Sequence, residues 1–506
     1  MKRLICLMLC IFLLAGCSSN SEKPYVPTGN GLTGDEPDEP QGSGITEQKL
    51  SLAYYPNRST SPFDSTDLTN RAMFSLLYQG LFSVNDDYEA MPILCKSYTY
   101  TRDMKTYTFY LEDATFSDGT AVTAADVVAS LKTAADSAYY GGRFAYVESF
   151  SEEDGAVVIT LTTPYENLPI LLDVPIVPKN QVKQARPLGS GPYVYEEYEG
   201  ALRLRRRTDW WCKATLPVTA QIITLVTAEN PAQLRDSFEF SGLGMVCTDP
   251  GGEGYVDFHS DYELWDCETG VFVYLACNDK SELLRDPQLR QLLTYAVNRD
   301  YLLETYYRGF GYSTYLPASP KFPYYAQALV KNMGYAPEKF ADAVAAVEGE
   351  KTLVLLVNKD DQVRLRAARY IASGLEQCGV KVVMSELATK AYVTALEKGE
   401  YDLYLGQTKL SANMDLSSFF NKKGALNYGG MADGMLYTLC QESLANSGNY
   451  STLYKHLLED GMLCPLLFRT TAIFVQRGTF TDLYSSRDNV FYYDLGKDPD
   501  AIQSVV

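Results

Sequence analysis

Between Leu353 and Leu405 the chain alternates apolar strands with amphipathic helices, and that order restricts the fold more than any other feature. Leu353 to Val357 is an unbroken apolar run. Asp361 to Gln377 repeats apolar residues at helical spacing, with Leu365, Ala368, Ile371, Ala372 and Leu375 on one face, and Gly379 ends it. Val380 to Met384 is a second apolar run. Lys390 to Lys398 reads as a second helix closed by Gly399, and Leu403 to Leu405 as a third strand. A strand without polar alternation is apolar on both faces, so both must be covered, which a parallel sheet flanked by helices achieves. The spacing predicts βαβαβ and an α/β fold. Such sheets bind ligands beyond the carboxyl ends of their strands, which puts the segment from Gly406 onward at a binding edge.

Other elements are legible nearby. Lys49 to Tyr55 and Thr106 to Leu111 alternate as strands, and Asp118-Gly119 is a turn. Thr123 caps a helix with Asp126 in the capping-box position and Val127, Val128 and Leu131 on its apolar face. Val147 to Phe150 and Ala156 to Thr162 flank Glu153-Asp154-Gly155 as a hairpin, and Val194 to Tyr198 and Ala201 to Arg205 flank Glu199-Gly200 as another. Asp286 and Pro287 open a helix with Leu289, Leu292, Leu293 and Ala296 on one face. The folded part spans about 450 residues, more than one core usually encloses, so two or more lobes are expected.

The N-terminus has a different character. Lys2 and Arg3 precede an apolar stretch from Leu4 to Leu14, too short to cross a bilayer of about 30 Å as a helix. This is the layout of a secretory signal. Leu14-Ala15-Gly16-Cys17 matches the bacterial lipobox, by which Cys17 becomes the first mature residue and carries a diacylglycerol. Residues 18–48 are rich in Gly, Pro, Ser, Thr, Asp and Glu with no apolar period, and read as a flexible tether.

Charge and chemistry narrow the function. The net charge of -19 argues against a nucleic-acid partner, because phosphate needs a basic footprint. The two histidines, His259 and His456, lie far apart, which disfavours a multi-histidine metal site. No GxSxG, HExxH or P-loop occurs, and Gly189-Ser190-Gly191 precedes Pro192 and so cannot open the helix of a dinucleotide fingerprint. Of eleven cysteines, eight follow Cys17; no CxxC spacing occurs, and buried thiols are favoured over disulfides.

Several segments, in order, resemble the extracellular solute-binding proteins of family 5, the oligopeptide, dipeptide and nickel receptors of ABC importers. Leu77-Tyr78-Gln79-Gly80-Leu81-Phe82 resembles "YEGLF", and Phe116-Ser117-Asp118-Gly119 through Thr123-Ala124-Ala125-Asp126-Val127 resembles "FxDGxPxTAxDV". Pro187 to Tyr193 resembles "PxGTGPY", Thr208-Asp209-Trp210-Trp211 "xxYW", and Asp286 to Arg299 "DxRVRQALxxAIDR". The resemblance implies a two-lobed, type 2 periplasmic-binding-protein-like fold with an extra subdomain inserted in the first lobe. Its expected division is a signal peptide at 1–16, a lipidated tether at 17–48, lobe I at 49–70, 165–275 and 471–506, the inserted subdomain at 71–164, and lobe II at 276–470. Val271 to Ala276 and Pro465 to Arg469 would cross between the lobes.

The implied function is a membrane-anchored, extracytoplasmic receptor that captures a peptide between its lobes and hands it to ABC permease subunits. It implies no chemistry, no cofactor and no metal, and a monomer is expected. An oligosaccharide, an amine or a metal chelate stays open as the ligand, as does an orphan sensing receptor. A secreted hydrolase is the remote alternative. Peptide receptors of this family hold the ligand's α-ammonium with an aspartate, and Asp415 falls in the matching region, followed by Asn427. The motif's tryptophan is missing, its proline is Leu416 and its tyrosine is Met431. Asp415 could equally cap a helix at Leu416 to Phe420. Asn413, Tyr54 and Tyr55 are further ligand candidates. Trp210 is another, with lobe packing as its alternative.

Overall fold

The computed structural model describes residues 49–506 apart from 213, 215–217, 241, 253–254 and 499. The signal peptide, the tether and Cys17 lie outside the described residues.

Ten strands form the main path of one mixed sheet: β1 (Leu50–Tyr54), β2 (Tyr193–Tyr198), β3 (Ala201–Arg206), β4 (Ile222–Thr227), β5 (Met245–Thr248), β6 (Tyr262–Cys277), β7 (Thr352–Asn358), β8 (Lys381–Leu387), β9 (Leu403–Lys409) and β10 (Leu463–Gln476). Their order is β8-β7-β9-β6-β10-β5-β1-β4-β3-β2. The predicted βαβαβ unit is present, with β7 parallel to both β8 and β9. β1 is parallel to β4 and β5 in the other half. Between these halves β6 and β10 pair antiparallel over their length. β6 is 16 residues long and β10 is 14, against a usual strand of roughly five or six. The crossing segments read from sequence lie in the C-terminal half of β6 and the N-terminal half of β10. Val271–Cys277 of β6 also pairs with β9, while Ala472–Val475 of β10 also pairs with β5, so the long pair serves both halves.

Local chemistry sets the helices as the sequence predicts. The helices used below are α1 (Ala124–Ala135), α2 (Gln362–Gln377), α3 (Thr389–Lys398) and α4 (Ser417–Phe420). The Asp126 carboxylate accepts from Thr123 N at 3.0 Å and from Thr123 Oγ1 at 2.6 Å at the start of α1. Asp361 caps α2 by accepting from Arg364 N, and Gly399 ends α3 in the left-handed conformation. Both predicted hairpins form, their turns carried by positive φ at Asp154-Gly155 and Glu199-Gly200.

A second sheet lies within the stretch expected to be an inserted subdomain: Cys95–Tyr100, Thr106–Leu111, Ala156–Leu161 and Val147–Glu153. Its other edge is taken by Gln503–Val505, parallel to Cys95–Tyr100. The chain's last residues thus lie where an unpaired strand edge offers backbone partners. All three are exposed, so no apolar pattern marked them in the sequence.

The family-like motifs converge in space. Gly191 N donates to the Leu77 carbonyl at 3.0 Å, and Ser117 N to the Gly189 carbonyl at 3.0 Å. The Ser190 carbonyl accepts from Trp210 Nε1 at 2.9 Å and Trp211 Nε1 at 3.2 Å. Trp211 also donates to the buried Gln79, which donates to Tyr493. Cys95, Cys247, Cys267, Cys277, Cys378, Cys440 and Cys464 are buried without disulfides. Burial pushes the Cys95 thiol up to about 12.

A methyl group at Gly189 would overlap the Leu77 carbonyl, which is backbone and cannot turn aside. Gly189→Ala should therefore destabilise the fold by about 1–3 kcal/mol, as overpacking does. The check is a lowered midpoint in urea with an unchanged slope.

Candidate functional site

The bulge that interrupts β6 between Glu268 and Val271 decides where the cleft lies. Thr269 and Gly270 have no partner in the β10 ladder, and Gly270 takes φ +68. Two connected chambers open over this point. An inner one of about 360 Å³ is lined by Tyr55, Asp249, Gln407, Arg469 and several threonines. An outer one of about 860 Å³ lies between residues 138–163 and the segment after β9, and is lined by Arg143, Tyr146, Asp415, Ser417 and Tyr437. Thr66, Tyr139 and Lys409 line both. A shallower hollow of about 840 Å³ adjoins the inner chamber at Gly252 and Tyr255, beyond the carboxyl end of β7, and carries Arg308, Lys359 and Arg366.

Most charges in the inner chamber are paired. The Arg469 guanidinium, on β10, contacts Asp249 and donates to Gln407 Oε1 at 2.8 Å. Arg58 pairs with Asp67 and stacks 3.9 Å from the Tyr55 ring centroid. Lys409 Nζ, on β9, lies 2.5 Å from Asp488 Oδ1. Burial pushes the Lys409 ammonium below its usual range, against the pull of Asp488. The Asp488 carboxyl is buried too, but Lys409 and Arg487 hold it below the usual carboxylate range.

Asp415 differs. Its Oδ1 accepts from Ser417 N at 2.9 Å and Ser417 Oγ at 2.5 Å at the start of the short α4, whose N-cap is Leu416, so Asp415 sits one residue before the cap position. Among the described residues no cation pairs with it, and its surroundings are Tyr146, Tyr165, Tyr450 and Cys440. Burial pushes its carboxyl above the usual range despite the two bonds from Ser417. It thus holds the first residue of α4 and is an uncompensated anion on the chamber wall.

The other candidates divide. Tyr55 borders the inner chamber but is almost fully buried, packed in a smaller apolar cluster with Ala53, Phe238 and Phe474, while Tyr54, its neighbour, packs into the main core. Asn413 is buried and organises the loop: its Oδ1 accepts from Ser411 Oγ at 2.6 Å and its carbonyl from Tyr450 OH at 2.6 Å. Asn427 donates to the Lys422 carbonyl at 3.3 Å, outside the chamber lining. Trp210 packs edge-on against Tyr493 at 5.8 Å and donates to Ser190, so its indole belongs to the motif cluster and not to the cleft. Sequence reasoning missed Lys409, Arg469, Tyr139 and Tyr146. A lone arginine closing the apolar run Pro465-Leu466-Leu467-Phe468 was the one available signal. Arg290 and Arg299 bind backbone carbonyls, Arg299 reaching Thr294, Thr314 and Pro465.

Among the described residues no helix is long and apolar enough to cross a membrane, and no cluster of three or more His, Cys, Asp or Glu could hold a metal ion.

Residues 89–427 match the bacterial extracellular solute-binding proteins, family 5 middle region. The glutathione-binding protein GsiB of Escherichia coli K12 is 24% identical over 369 residues, covering 67% of each chain. Among solved structures, the ABC transporter substrate-binding protein CtaP of Listeria monocytogenes aligns with TM-score 0.71 at 17% identity, over 88% of this chain and 98% of its own. The oligopeptide-binding protein AppA of Bacillus subtilis, solved with a nonapeptide, aligns with TM-score 0.61 at 19% identity, over 89% and 100%. Their two-lobed, type 2 fold is the fold of this chain.

The Asp415 environment sets a pH dependence. A carboxyl raised by folding binds its proton more tightly in the folded state, so its ionisation costs stability as pH rises through the folded value. Below the unfolded value, near 3.9, both states are protonated and the cost vanishes. Asp415→Asn keeps an acceptor for Ser417 and removes the charge. The free variant should exceed the parent in stability at pH 7, and this advantage should fade on acidification. Denaturation midpoints of both proteins across that range check it, and a pH-independent difference would contradict it.

Proposed function

The chain belongs to the bacterial extracellular solute-binding proteins of family 5, and from that premise we propose that it captures a peptide between its lobes and delivers it to an ABC importer. The observation that carries the peptide reading is Asp415. A carboxylate left without a cation on the wall of a closed-in chamber is costly. A ligand ammonium supplies the missing charge through a short, charge-assisted bond. The rest of the outer chamber, with Tyr139, Tyr146 and Tyr437, suits a peptide's mixed polar and apolar surface. GsiB and AppA, which are named for glutathione and oligopeptides, support the same class of ligand.

In this reading residues 49–70, 165–275 and 471–506 form the first lobe, 71–164 its inserted subdomain and 276–470 the second lobe. The ligand is bound and released without chemistry, by hinge motion about β6 and β10. Cys17 carries the lipid that keeps the receptor at the extracytoplasmic face of the membrane, beside its permease, and the receptor works as a monomer.

Two outcomes follow. Asp415→Asn should weaken binding of a tripeptide by roughly 2 kcal/mol, about thirtyfold, and an N-acetylated tripeptide should bind the parent as poorly. Calorimetry with unchanged affinity would remove the peptide assignment's residue-level support. Separately, Cys17→Ala should move the protein from the detergent phase to the aqueous phase on Triton X-114 partition of whole cells. Retention in the detergent phase would refute the anchor.

A further inference from the structure

We propose that Lys409 is a specificity-determining residue whose own ammonium fills an ammonium-binding cradle at the junction of the two chambers, confining a ligand's cationic group to the Asp415 end. The functional half of this inference rests on the peptide reading above; the cradle itself does not.

The cradle satisfies every donor of the ammonium. Lys409 Nζ reaches Asp488 Oδ1 at 2.5 Å, the Thr269 carbonyl at 2.7 Å and Tyr139 OH at 3.3 Å. An ammonium has three protons, and three acceptors converge on it. The nitrogen also lies 4.7 Å from the Tyr139 ring centroid, within cation–π range. Each acceptor is fixed independently of the lysine. The β6 bulge frees the Thr269 carbonyl from the ladder with β10, and Thr269 Oγ1 anchors the turn by donating to the Arg469 carbonyl at 2.7 Å. Asp488 sits at φ +64, its N–H donating to the Glu268 carbonyl at 2.9 Å. Its second oxygen is buried with no hydrogen-bond partner, the nearest guanidinium nitrogen of Arg487 standing 3.8 Å away. Tyr139 OH donates to Asp488 at 3.2 Å, and its ring lies 3.6 Å from the Arg71 guanidinium carbon.

This is the donor set a receptor would use for a ligand's amine, yet it is filled from within. Lys409 ends β9 and lines both chambers, so its side chain stands where a ligand passing from one to the other would place its middle. With Asp488 neutralised in this way, Asp415 remains the acid on the lining without a cation. A second amine in the middle of a ligand meets an ammonium instead of a carboxylate, and is repelled.

The test empties the cradle. Lys409→Ala should bind ethylammonium, read as a rise in melting temperature with millimolar ethylammonium chloride beyond that given by tetramethylammonium chloride, which has no N–H to donate. The parent should show no such rise, nor should Lys409→Met, which refills the space without the charge. The ratio of affinities for Ala-Lys-Ala over Ala-Ala-Ala should increase by about tenfold in Lys409→Ala, one charge-assisted bond's worth. If Lys409→Ala does not fold alone, its recovery when refolded with ethylammonium supports the cradle and a failure to recover overturns it. An equal response of parent and variant to ethylammonium overturns the cradle. An ethylammonium response with an unchanged peptide ratio reduces Lys409 to a structural ion pair and overturns its role in specificity. If neither peptide binds parent or variant, the peptide reading and the selectivity drawn from it fail together, while the ethylammonium response still decides the cradle.

Discussion

The structure depends on one antiparallel ladder, β6 against β10. Each flanking half meets it with a group of parallel strands, β7 with β8 and β9 on one side and β1 with β4 and β5 on the other, whose backbone groups need partners on both sides. The long pair supplies them, taking β9 on one side and β5 on the other. A single unbroken ladder would be a stiff, twisted plank. The bulge at Thr269-Gly270 breaks it at its middle, bends it, and turns one carbonyl out of the sheet. Gly270 is required there: a methyl group would meet the Leu410 carbonyl at 2.8 Å and run into Arg487. The cleft opens above that break, so the position of the site follows from the strand pairing.

Charge placement follows from the same geometry. Arg469 belongs to the long pair, Gln407 to the second half and Asp249 to the first, and the guanidinium joins all three. Lys409 and Asp488 likewise bring the end of β9 to the chain's C-terminal segment. Half-buried charges are tolerable when both members are present, and removing one partner costs several kcal/mol. These pairs therefore favour an arrangement in which the halves stay close, and make separation of the halves a solvated, costlier state. Asp415 stands outside this pattern, and its chamber gains most from a cation brought by a ligand.

Local signals were legible and long-range ones were not. The βαβαβ unit, the Asp126 and Asp361 caps and both hairpins could be read because each is decided by residues a few positions apart. The family-like motifs were legible too, but their work is architectural: Gly189, Gly191, Gln79 and Trp211 join separate segments of backbone and line neither chamber. The cleft was largely hidden. Tyr54 and Tyr55 are adjacent and chemically equal and both are buried, each in a different apolar cluster, yet only Tyr55, just past the end of β1, reaches the chamber wall. Lys409 looked like the polar end of a strand, since its partners Thr269, Tyr139 and Asp488 come from three distant segments. Gln503–Val505 carried no apolar pattern because that strand is held by its backbone bonds to Cys95–Tyr100.

The departures from the family pattern around Asp415 have a backbone cause. The motif expects proline after the aspartate, but Leu416 sits at φ -107, well away from the value near -65 that a proline ring imposes. Met414, just before, takes φ +52. The loop thus follows its own path. Its hydrogen bonds are made within the protein: Ser411 to Asn413, the Asp415 N–H to Asn413 Oδ1, Ser417 to Asp415, and Tyr450 to the Asn413 carbonyl. None needs a ligand. A carboxylate fixed in this way is already ordered before anything binds, so little conformational entropy is lost when a ligand arrives, and more of the charge-assisted bond is retained as affinity. The lost proline and tryptophan are therefore compatible with a working anion site, because the loop's rigidity comes from its own Asn, Ser and Tyr contacts.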